Sequence, residues 1–210
     1  MCEALEKVTL AEKNMDWPFK NLQPFSYGLI MADPPWSFEL YSEKGEKKSA
    51  QAQYDCMSLD AIKALPVADL AAPDSCLFLW GTWPMLPQAL EVMKAWHFKF
   101  VTGGHWHKLT ANGKQAFGTG YRVRCASEPW LLGTIGNPQN SRSLRNAIEG
   151  VVREHSRKPD EAYAWAEAYL PKARRVELFS RQPRAGWETW GNEAHKFSDA
   201  AWGASNAVTV

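Results

Sequence analysis

The chain has 210 residues, enough for one well-buried α/β domain and short for two, so a single domain over 1–210 is expected. Its 24 lysines and arginines against 23 acids exclude a global polyanion-binding charge, so any nucleic-acid contact has to be a local patch. No apolar run approaches the ~20 residues of a membrane span, and the four scattered cysteines form no Cys-x-x-Cys pair; both features point to a reducing, cytoplasmic setting.

Residues 1–24 read as a lead-in to a first strand over 27–32, whose apolar run Leu29-Ile30-Met31-Ala32 suits a buried parallel strand. Asp33-Pro34-Pro35-Trp36 follows at its carboxyl end, where open α/β sheets bind their ligands. Asp33 offers acceptors. The two prolines remove two backbone donors and leave carbonyls. Such a site suits an amine whose lone pair is delocalised, as in adenine, because acceptors on its hydrogens favour the reactive, pyramidal form. Trp36 offers a flat face for a base, although an Asp-Pro turn with a packed tryptophan beneath it is the common structural alternative.

The polar stretch 37–53 reads as a loop, with a lid as its functional alternative. Ser58 caps a short helix over 59–65. Cys76 to Trp80 form a second strand, and Leu86, Leu90, Met93 and His97 set the stripe of an amphipathic helix. A third strand starts at Phe98 and runs toward Lys108. His105 and His107 share a face there, but no third ligand accompanies them, and no metal is expected. Residues 109–124 form a second long, basic loop. In it Arg122 and Arg124 are candidate contacts to an extended anionic substrate.

Glu128 opens a further strand, and 137–146 reads as a loop. Pro159, Asp160 and Glu161 mark a helix start that places Lys158 just before a helix N-terminus. Val176 to Ser180 form a strand ending at Arg181. A short edge strand follows from Gly186 to Trp190, and 198–210 is expected to fray.

Taken in order, Asp33-Pro34-Pro35-Trp36, Leu77-Phe78-Leu79-Trp80, the block from Arg153 to Glu161, Glu177-Leu178-Phe179-Ser180-Arg181 and Gly186-Trp187 through Gly191-Asn192-Glu193 resemble the MT-A70 family of N6-adenine methyltransferases. The resemblance covers roughly residues 25–195. It implies a Rossmann-like α/β fold with a mostly parallel central sheet, helices on both faces and a circularly permuted motif order. The Gly-rich turn of a dinucleotide site is replaced by Phe179-Ser180-Arg181.

The activity implied is transfer of a methyl group from S-adenosyl-L-methionine to the N6 amine of adenine in nucleic acid, DNA ahead of RNA. An in-line displacement from a sulfonium needs alignment more than a metal. By the resemblance, Asp33, Pro34, Pro35 and Trp36 are the catalytic block, with Trp36 stacking on the base. Lys158 would meet the cofactor's carboxylate, Arg181, Asn192 and Glu193 its ribose and adenine, and Glu128 lies near the target nucleotide. The alternatives are a non-catalytic, nucleic-acid-gripping partner subunit, a homo- or heterodimer, an RNA enzyme, and a methyltransferase acting on a protein glutamine amide.

Overall fold

Alternation along the first strand decides how the layers assemble. In the computed structural model, which describes residues 17–37, 56–118, 120, 122–154 and 157–192, β1 (Tyr27–Ala32) sends Ile30 and Ala32 to one face of the sheet and Leu29 and Met31 to the other. Successive side chains of a strand point to opposite faces, so a run buried on both sides is what a strand between two layers requires.

The remaining strands are β2 (Ala71–Trp80), β3 (Lys99–Leu109), β4 (Ser127–Ile135), β5 (Ala147–Val151), β6 (Arg175–Leu178) and β7 (Glu188–Trp190). They form a seven-stranded sheet in the order β5-β3-β4-β2-β1-β6-β7. The pairings β1–β2, β1–β6, β6–β7 and β3–β5 are parallel, and β4 is antiparallel to both neighbours. The sheet is therefore mixed. Every described strand except β4 runs one way, so the carboxyl ends of β1, β2, β3 and β6 and the amino end of β4 share one edge.

On one face lie α1 (Leu59–Lys63) and α2 (Leu86–Ala95), with Ile62, Ala89, Val92 and Met93 packed on Ile30, Leu77, Leu79, Val176 and Leu178. On the other, α3 (Asp160–Tyr169) buries Ala162, Tyr163 and Ala166 against Leu29, Met31, Phe78 and Trp130. Ser58 caps α1 as expected, its hydroxyl accepting from the Ala61 amide at 3.2 Å. α2 buries Ala89, Val92 and Met93, with Trp96 buried at its C-cap, so of the expected stripe Met93 faces the core while Leu90 faces outward at 40% exposure.

Two features were not read from the sequence. β5 begins directly after the expected 137–146 loop and is not expected as a strand from sequence, since of its five residues only Ile148 gives an apolar side chain to the core. The segment 109–124, read as a long flexible loop, is hydrogen-bonded back onto the strand ends: the Ala116 amide donates to the Lys108 carbonyl and the Gly118 amide to the Cys125 carbonyl, both at 2.8 Å. The expected lid lies largely, and the C-terminal tail wholly, outside the described residues.

Candidate active site

At the end of β1 the chain makes a tight turn. The Trp36 amide donates to the Pro34 carbonyl at 2.8 Å, and the Met57 amide to the Pro35 carbonyl at 3.1 Å. This leaves Asp33 at the sheet edge and folds Trp36 inward. Trp36 is 4% exposed and belongs to the core under β1, between the sheet and the Met57 segment. The expected base-stacking face is thus covered, because the proline turn rotates the ring into the apolar layer; the structural alternative of a packed tryptophan is the one realised. Among the described residues its indole N–H has no partner.

Asp33 meets Lys158, the residue before the Pro159 cap of α3, at 2.7 Å between Oδ2 and Nζ. Lys158 Nζ also lies 2.8 Å from Oε1 of Glu128, the second residue of β4, and 5.2 Å from the centroid of the Trp80 ring. In this arrangement Lys158 meets carboxylates of the chain itself, two acceptors among the described residues against the three N–H donors of an ammonium.

Burial pushes the Asp33 carboxyl upward; Lys158 opposes this, Glu128 adds to it, and the net direction is up. Burial works in the same sense on Glu128, but Lys158 and Lys108 outweigh it and hold Glu128 at about 2. Burial disfavours the Lys158 charge, and the two carboxylates more than reverse this, so Lys158 is raised. The result is an ammonium firmly charged beside one strongly acidic and one more basic carboxylate.

A cleft of about 310 Å³, its open mouth included, is lined by Asp33, Arg157, Lys158, Tyr163, Glu177, Phe179, Arg181 and Gln182. Arg181, expected at the cofactor, is on its wall. Glu177, buried in β6, accepts from the Tyr163 hydroxyl at 2.6 Å and from the Ser180 hydroxyl at 2.8 Å. Gln182 accepts from Arg157 Nε at 2.9 Å. Phe179, at φ 62°, holds the turn after β6 in the left-handed region that side chains seldom occupy; it is one of the residues lining the cleft, and its ring meets that of Trp190 edge-on at 5.3 Å.

Glu177, Gln182, Arg157, Tyr163 and Phe179 were not assigned roles from sequence. The signal for Glu177 was present: a carboxylate between Val176 and Leu178 in a buried strand needs partners. Asn192 is exposed in the turn after β7, next to Gly191, which abuts the Phe179–Ser180 backbone. Arg122 and Arg124 are exposed in the segment joining β3 to β4, away from the cleft lining. Glu193 lies outside the described residues. Among the described residues no group of three or more His, Cys, Asp or Glu is arranged to hold a metal.

An acid on the carboxyl end of the central strand, paired with a lysine from a helix start and facing the turn after the neighbouring strand, joins blocks far apart in sequence. The MT-A70 family model matches residues 27–193, a span that includes all of them. The chain belongs to the MT-A70 family.

Relatives within and around this MT-A70 match differ in scale. The chain is 34% identical over 173 residues to the N(6)-adenosine-methyltransferase MT-A70-like protein of Arabidopsis thaliana, covering 80% of this chain and 24% of that one. It is 30% identical over 173 residues to the N(6)-adenosine-methyltransferase catalytic subunit METTL3 of Homo sapiens, covering 80% and 28%. It is 26% identical over 199 residues to the type II methyltransferase M.MunI of Mycoplasma sp, covering 85% and 82%. The chain thus spans about a quarter of the adenosine methyltransferases and most of M.MunI.

Proposed function

We propose that this chain transfers a methyl group from S-adenosyl-L-methionine to the N6 amine of adenine in nucleic acid, with DNA ahead of RNA. The observation carrying this reading is Asp33, fixed at 2.7 Å by Lys158 on the wall of a cleft that also presents Arg157 and Arg181. The cleft suits the cofactor's charges: the arginines and the third N–H of Lys158 can take its carboxylate, Gln182 can meet hydroxyls, and Phe179 offers an aromatic edge to its base. When bound, the cofactor supplies a methyl group already activated on a sulfonium.

The chain's own part is alignment and charge. Asp33 accepts hydrogens of the amine and stabilises the positive charge that develops on nitrogen. The Pro34 carbonyl, with one lone pair used by the Trp36 amide, keeps a second for the amine. Because burial raises Asp33 above the ordinary carboxylate range, its carboxylate is also the natural recipient of the amine's proton afterwards.

Two further parts of the reading rest on scale and order. Among the relatives named above, M.MunI is matched along 82% of its length, and we take its type II methyltransferase name, set against the adenosine in the names of the larger relatives, as the ground for placing DNA first. The Asp33 block comes early and the Phe179–Gln182 turn late, yet β1 and β6 are sheet neighbours, as a circularly permuted Rossmann-like domain would require.

The test is transfer of labelled methyl from S-adenosyl-L-methionine into matched single- and double-stranded DNA and RNA, with nucleoside analysis. N6-methyladenine in DNA is expected. Transfer to RNA alone would reverse the substrate preference, cofactor binding without transfer would indicate a partner-dependent or non-catalytic subunit, and neither binding nor transfer would overturn the reading.

A further inference from the structure

Lys108, the penultimate residue of β3, has no part in the reaction as described, yet it ends a row of alternating charges that reaches Asp33. Its Nζ lies 2.9 Å from Glu128 Oε2; Glu128 Oε1 lies 2.8 Å from Lys158 Nζ; Lys158 Nζ lies 2.7 Å from Asp33 Oδ2. Each oxygen of Glu128 therefore has its own ammonium. The ring of Trp106, two residues earlier on the same face of the strand, sits 4.9 Å beneath Lys108 Nζ and is fixed by its indole N–H donating to the Gly150 carbonyl at 2.9 Å.

We propose that Lys108 is a positioning residue for methyl transfer: by holding one oxygen of Glu128 and balancing its charge, it leaves Lys158 directed at Asp33. Two lysines and two carboxylates make the row neutral. Without Lys108 the row carries a net negative charge, Glu128 draws Lys158 to itself, and Asp33 loses part of the cation that favours its ionised form.

The other groups facing Asp33 do not replace it. Arg181 contributes a favourable charge, Glu177 an unfavourable one, and Tyr163 stands behind Glu177. Glu128 faces Lys158 and Lys108. Loss of Lys108 should consequently raise the pH at which Asp33 ionises.

The test compares the full chain with Lys108→Met and Lys108→Arg, following methyl transfer against pH and the Asp33 carboxyl by carbon NMR, assigned through Asp33→Asn. Lys108→Met should lower kcat on the order of tenfold, less than the hundredfold or more expected when a directly acting group is lost. It should change KM for the oligonucleotide less than kcat, and move the Asp33 titration midpoint upward; Lys108→Arg should restore both. If Lys108→Met does not fold, Lys108→Gln, which removes the charge and keeps a donor to Glu128, gives the same NMR readout.

An unmoved Asp33 midpoint, or a wild-type kcat in Lys108→Met, would overturn the proposal. The inference uses the methyl-transfer reading for its kinetic arm only. If the wild-type chain methylates no nucleic acid, that reading fails, while the NMR midpoint still decides the role of Lys108.

Discussion

Replacing Asp33 with alanine removes the carboxylate and its pairing with Lys158 but keeps all three cations of the cleft, Arg157, Lys158 and Arg181, so it separates chemistry from cofactor capture. We expect Asp33→Ala to lose more than about a hundredfold in kcat, as for other losses of a group aimed at developing charge, while cofactor affinity measured by calorimetry changes by only a few fold. Retained turnover would remove Asp33 from the mechanism. Because burial pushes Asp33 upward, the active carboxylate form is lost on acidification above the usual value of ~3.9, and the acid limb of the rate profile should lie correspondingly high. Trp36 makes a second residue-scale test. Placed in the core rather than over the cleft, it predicts that Trp36→Phe keeps KM for nucleic acid near wild type, whereas Trp36→Ala lowers stability by about 3–5 kcal/mol in chemical denaturation. A large rise in KM for Trp36→Phe with unchanged stability would restore the stacking role.

The element that shapes the cleft is the turn after β6, and its conformation depends on a glycine in another strand's wake. A Cβ on Gly191 would lie 2.7 Å from the Ser180 carbonyl oxygen and 2.8 Å from its nitrogen, against backbone that cannot swing away. Gly191→Ala should therefore push β7 off the Phe179–Ser180 turn, lowering stability by about 1–3 kcal/mol and weakening cofactor binding more than nucleic-acid binding; calorimetry against each ligand distinguishes the two. This coupling also marks where sequence reasoning stopped. The strands β1 and β6 and the second half of β2, from Cys76, were legible because their apolar runs end at punctuating residues, and the start of α3 because Pro159, Asp160 and Glu161 together favour a helix N-terminus; Ala71 to Ser75 of β2 were not, because Pro73 and Asp74 break the apolar pattern. The direction of β4 was not legible, since a buried run such as Trp130-Leu131-Leu132 reads identically either way. The family resemblance places Lys158 at the site and its position before α3 agrees, but its two carboxylate partners come from the end of β1 and from β4, and no local pattern announces a pairing across 125 residues. Trp36 was misjudged for the same reason: whether an aromatic after a proline turn faces a cleft or the core is settled by the segment that packs on it, here Met57.

At the scale of the whole molecule the charge row ties β3, β4, β1 and the approach to α3 into one edge, so its titration should be visible in global stability. The two carboxylates act with opposite sign. Glu128 is depressed to about 2 in the folded state, against an ordinary value of ~4.3, so it contributes stability that is fully present above pH ~4.3 and is lost as pH falls toward 2. Asp33 is raised, so the folded chain binds its proton more readily than the unfolded one; its ionised form weakens the fold at neutral pH, and that penalty is relieved as pH falls through its folded value. Glu128→Gln should consequently be less stable than wild type at pH 7, having left Lys158 and Lys108 with one buried partner fewer, and its acid loss between pH ~4.3 and 2 should be flatter. Asp33→Asn should be at least as stable as wild type at pH 7 while inactive, the pattern expected where a site gives up stability for chemistry. Urea denaturation of the three proteins at pH 3, 5 and 7 checks both signs at once. A parallel pH dependence in all three would show that the row carries no linkage to folding, and a destabilised Asp33→Asn at pH 7 would mean that Lys158 holds the Asp33 carboxylate more strongly than burial opposes it.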